Sequence, residues 1–155
     1  MPESPKERTD RQLIELLNEL RVALPGAQVL LAFLLTVPFQ SHFNRTTTFE
    51  RSVLYAAVLL TTGGVLLLMA PSVYHRMRWE EGGKEDVIRV GHRLFLAGTA
   101  CLALGLACAV FVVGKFLFGT GAAVPAVVVI VVLVGVTWYA VPLDRSRDPA
   151  VRESE

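Results

Sequence analysis

The chain has 155 residues, 53% of them hydrophobic and 19% charged, with 15 Lys and Arg set against 14 Asp and Glu. A soluble domain carries about 45–50% apolar and about 25% charged residues, and here the charges gather in blocks that leave 22–44, 52–75, 94–114 and 116–143 without any. Each stretch reaches the roughly 20 apolar residues that cross a bilayer, which excludes a soluble globular domain, and a net charge of +1 offers no basic footprint for nucleic acid.

The expected fold class is all-α: an integral membrane four-helix bundle with an N-terminal amphipathic interfacial helix. Residues 1–8 are polar, include two prolines and are expected to form a disordered tail. Thr9 and Gln12 have capping-box spacing, which favours a helix start. Leu13, Leu16, Leu17, Leu20 and Leu24 then recur at helical spacing, so 9–24 reads as an amphipathic helix in the membrane–water interface. Mixed charge before the first apolar run argues against a cleaved signal peptide.

Pro25 removes a backbone donor and crowds the preceding turn, so a bend is expected at Leu24-Pro25-Gly26. From there a transmembrane domain covers 25–143, with spans at about 26–42, 52–70, 94–118 and 124–142. Pro38 predicts a kink in span 1. Thr47 and Glu50 form a second capping-box pair ahead of span 2. Thr61, Thr62, Gly63 and Gly64 are polar and small, suited to close helix packing. Pro71 is expected to end that span. Gly82 and Gly83 mark a turn, after which Lys84–Arg93 reads as a short helix leading into span 3. Gly119-Thr120-Gly121 is a tight turn into span 4, whose valine run is helical in lipid because the backbone must satisfy itself there. Trp138 and Tyr139 suit an interface, and 144–155 is a polar tail.

Gly98, Cys101, Gly105 and Cys108 share one stripe of span 3 and form a candidate helix-packing face. The two cysteines are about 10.5 Å apart in helical rise, beyond the reach of a disulfide between them. Of the Lys and Arg residues, twelve fall in the N-terminal segment, the middle loop and the C-terminal tail, and three in the other two loops. Positive charge stays cytoplasmic, so both termini are expected inside a multi-pass protein of the cell membrane.

Several motifs together resemble a known family. NELRVALPGAQVL at 18–30, continuing to Thr36-Val37-Pro38-Phe39, stands with Ala70-Pro71, Tyr74-His75-Arg76, Trp138-Tyr139 and Pro142-Leu143. Over roughly residues 15–143 these resemble a domain of unknown function found in small four-span actinobacterial membrane proteins, some of which bear the label sodium:proton antiporter. The resemblance implies the fold and supplies no established activity, cofactor or catalytic residue.

Glu19, Arg21, His75, Arg76, His92 and Arg93 all fall at the expected inner face and form a candidate polar cluster. Basic side chains at that depth ordinarily anchor on lipid phosphates; a functional polar site is the sharper reading. A metal site on His75 and His92 lacks the third ligand that zinc usually shows. With no phosphate loop and no nucleophile–base pair, neither an enzyme nor a cofactor is expected. The expected role is structural or accessory, through lipid or protein contacts, with the bilayer and a homo-oligomer or membrane protein as partners. The alternative is an oligomeric ion transporter or channel subunit.

Overall fold

A computed structural model describes residues 5–41, 43–77 and 84–140. Four helices account for most of them: α1 Pro5–Thr36, α2 Thr48–Met77, α3 Lys84–Phe118 and α4 Thr120–Val134. With the short helical turns that follow α1 and α4, they supply four stretches long and apolar enough to cross a membrane, namely Leu17–Phe39, Thr48–Val73, Arg89–Phe118 and Thr120–Trp138. The turn expected at Gly82-Gly83 and the tail at 144–155 lie outside the described residues.

The helices are longer and less interrupted than the prolines suggest. α1 starts at Pro5, inside the expected disordered tail, and runs unbroken through Pro25. Proline suits a first helical turn, where its missing N–H has no partner to lose. The helix expected over 9–24 and span 1 are therefore parts of one continuous helix, with Pro25 inside it. Pro25 leaves only the Arg21 carbonyl without its helical donor, and Pro25 itself is exposed. α2 likewise continues past Pro71 to Met77, and Lys84–Arg93 is the first part of α3. Pro38, where a kink is expected, sits near the end of the first span in the single-turn helix Val37–Phe39 that follows α1, ahead of extended Gln40. Beyond α4 a wider π-helical turn covers Gly135–Ala140.

The bundle is built on the antiparallel pair α2–α3. Ala57, Thr61, Gly64, Val65 and Leu68 are buried along one face of α2. A Cβ on Gly64 would meet Leu102 at 2.8 Å and the Gly98 carbonyl at 2.9 Å, and one on Gly98 would meet Leu68 at 3.0 Å. Lipid tails are as apolar as leucine, so the hydrophobic effect gives no net pull between spans; close van der Waals approach does, and small residues permit it. α1 lays Leu20, Ala27 and Leu34, one stripe at seven-residue spacing, against this pair. α4 packs on α3 and, among the described residues, on neither α1 nor α2. Its contact begins where Ala123 meets Gly114, 3.3 Å from a Cβ placed there, and Ala123 is the one buried residue of α4.

Candidate functional site

At the end of the bundle that holds the N-terminus, four members of the candidate cluster have described side chains, and all four are exposed. Leu20 faces the bundle, and its chain neighbours Glu19 and Arg21 are exposed. Successive helical residues point about 100° apart, so a stripe that buries Leu20 turns both charges outward. The same holds on α3, where buried Gly91 is followed by exposed His92 and Arg93. Among the described residues no hydrogen bond or ion pair joins these four side chains. His75 and Arg76 sit in the last turns of α2, with side chains outside the described set. Among the described residues there is no group of three His, Cys, Asp or Glu that could hold a metal ion.

In the middle of the bundle, Gly98 and Gly105 lie against α2. Cys101 and Cys108 are half-buried free thiols, and Cys108 packs beside the buried cluster Leu34, Leu54, Ala57 and Val112. Thr62 donates its hydroxyl to the Val58 carbonyl at 2.8 Å. Thr61 is fully buried, and its hydroxyl has no hydrogen-bond partner.

The opposite end carries the denser constellation. The Thr47 N–H donates to Glu50 Oε2 at 2.7 Å and the Glu50 N–H to Thr47 Oγ1 at 3.3 Å, a reciprocal capping box that starts α2. Glu50 Oε1 lies 3.4 Å from Lys115 Nζ, with the two side chains only 10% and 22% exposed. The ammonium also stands 4.9 Å from the centre of the Phe49 ring, which meets Phe111 edge-on at 6.0 Å. Beside this group the Arg51 Nε–H donates to Thr46 Oγ1 at 3.3 Å, and its guanidinium lies 5.4 Å over the Phe43 ring. Thr46 donates in turn to the Phe43 carbonyl at 2.7 Å. Between these residues and α3 opens a cleft of about 210 Å³, lined by Val37, Phe43, Val113, Phe116 and Leu117 among others, with Gln40, Thr46 and Glu50 at one end and apolar atoms facing the opening.

Thr47 and Glu50 form the capping box expected from their spacing, whereas the partnership of Glu50 with Lys115 has no local signal in the sequence. Their meeting was available from the α2–α3 pairing: the register that sets Gly64 on Gly98 and Thr61 near Gly105 brings Glu50 to Lys115.

Four long apolar helices, tied by close small-residue contacts and carrying their charges at the ends, define a multi-pass α-helical membrane protein. The chain belongs to a family of unknown function (DUF6328), whose model matches residues 2–142. No curated protein and no solved structure matches it.

Proposed function

We propose that this is a structural or accessory protein of the cell membrane, with both termini cytoplasmic, that works through contacts with lipid or with another membrane protein rather than as an enzyme. One observation carries the reading. The tightly packed α2–α3 pair holds no Asp, Glu, Lys, Arg or His through its middle, from Ser52 to Val73 or from Leu94 to Gly114, while α4 and the outer faces of α1 are left open. Proton-coupled carriers route ions past ionisable groups within the membrane, where such groups are expensive and kept for function. Here Thr61, Thr62 and Thr99 occupy that depth, and Thr62 and Thr99 spend their hydroxyls on their own helix backbone.

The alternative, an oligomeric ion carrier, is what the test addresses. Purified protein in proteoliposomes with a pH-sensitive dye is given a sodium gradient. No pH change above empty liposomes is expected. A sodium-dependent change abolished by replacing Glu19, His75 or Asp144 would overturn the reading.

A further inference from the structure

We propose that the cleft beside Glu50 and Lys115 is a binding site for an anionic phospholipid, one acyl chain lying in the cleft and the headgroup phosphate meeting Arg45 and Arg51. The cleft straddles a boundary. One end is the polar connection from Gln40 to Thr46; the other is Val112, Val113, Phe116 and Leu117 of the third span. Val113, Phe116 and Leu117 are more than half exposed, so the cleft opens sideways, where hydrocarbon lies, and not only toward water. At about 210 Å³ it falls below the roughly 300 Å³ at which compact small-molecule pockets begin, and its apolar walls suit a length of flexible chain.

Charge selects the headgroup. Glu50 is engaged by Thr47 and Lys115 and turns no polar atom into the cleft. Arg51 stacks on Phe43 and holds Thr46, two lining residues, and Arg45 is exposed in the same turn. With Lys115 spent on Glu50, the flank of the cleft carries Arg45 and Arg51, which no carboxylate among the described residues engages and which attract a phosphate and repel a cationic amphipath. This inference narrows the contact reading above to one lipid class. It is tested without ion flux, so either can fail alone.

Delipidated protein is titrated in detergent with dimyristoyl phosphatidylglycerol or with phosphatidylcholine of the same chains, and bound lipid is counted by native mass spectrometry. Phosphatidylglycerol should bind more tightly by on the order of tenfold, and Arg45→Gln with Arg51→Gln should remove that preference. Val113→Trp, which fills the cleft, should abolish binding of both lipids while circular dichroism reports an intact helix content. The arginine pair is exposed and decides the matter if the tryptophan variant does not fold. Equal binding of the two lipids, indifference to the arginines, or competition by glycerol phosphate as strong as by the lipid would overturn the proposal. So would a lipid-free dimer that Val113→Trp splits, since the cleft would then seat a second copy.

Discussion

Gly105 lies where any side chain would strike Thr61: a Cβ built on the glycine comes within 2.5 Å of the Thr61 hydroxyl oxygen and 3.2 Å of the Ala57 carbonyl. Ala57 and Thr61 are fully buried, so neither can swing aside into lipid. Gly105→Ala is therefore expected to cost about 1–3 kcal/mol through overpacking, read as a lowered melting temperature in detergent. Thr61→Ala, which deletes an orphan hydroxyl, should leave stability unchanged or raised, and the double variant should recover part of the loss. If the double variant melts no higher than Gly105→Ala alone, the hydroxyl is not what the new methyl meets.

The turn between α3 and α4 is one residue long. Gly119 has φ 82° and ψ 176°, a region open in practice to glycine alone. Gly119→Ala should destabilise by about 1–3 kcal/mol. Gly121→Ala, two residues on, has nothing within 4 Å of the new methyl and lies in a helix, so it should be neutral or stabilising. Melting curves of the two variants make a matched pair, and equal effects would show that backbone conformation is not the cause.

Glu50 serves two partners, and its variants should separate them. Glu50→Gln keeps an acceptor for the Thr47 N–H and loses the charge beside Lys115. Glu50→Ala loses both and leaves the ammonium without a counter-ion. The melting temperature should fall further for Glu50→Ala than for Glu50→Gln. Lys115→Met should add less in the Glu50→Gln background than in the native chain, because the charge partner is already gone. Full additivity would mean that the pair does not couple.

Much of this architecture was legible in the residues, for definite reasons. Charge blocks separate the spans because a charge in hydrocarbon is costly, so four helices follow from four uncharged runs. The Thr47–Glu50 box is local, three residues apart, and local geometry is readable. The continuity of α1 was not. A proline in a helix interior loses one backbone hydrogen bond, and whether the helix survives it depends on its surroundings, which in a membrane favour helix over any exposed backbone. The Glu50–Lys115 pair escaped because its members are far apart in the chain and meet only through the α2–α3 register. Of the cluster expected at Glu19, Arg21, His75, Arg76, His92 and Arg93, the four members with described side chains are exposed beside the buried Leu20 and Gly91, a register that charge pattern alone does not reveal.

Orientation can be read directly. In a cysteine-free background carrying Cys101→Ala and Cys108→Ala, a single Gly82→Cys is expected to resist a membrane-impermeant maleimide in intact cells and to label after lysis. The twelve-to-three distribution of Lys and Arg sets that expectation. Labelling in intact cells would invert the topology and move the Glu50 end to the cytoplasmic leaflet.

The unbroken α1 has a mechanical meaning. Its 32 residues make a rod of about 48 Å, against a hydrocarbon thickness of about 30 Å. Its apolar stretch begins only at Leu17, so residues 5 to 16 extend the helix beyond that stretch as a stub of about 18 Å. A flexible tail would absorb whatever pulled on it. A stub continuous with the span does not: to rotate it about its axis is to roll Leu20, Ala27 and Leu34 out of their seats. The grip on α1 inside the membrane and the angle at which its outer turns face the surrounding water are thus one variable, and an object that held the stub would hold the bundle's packing with it.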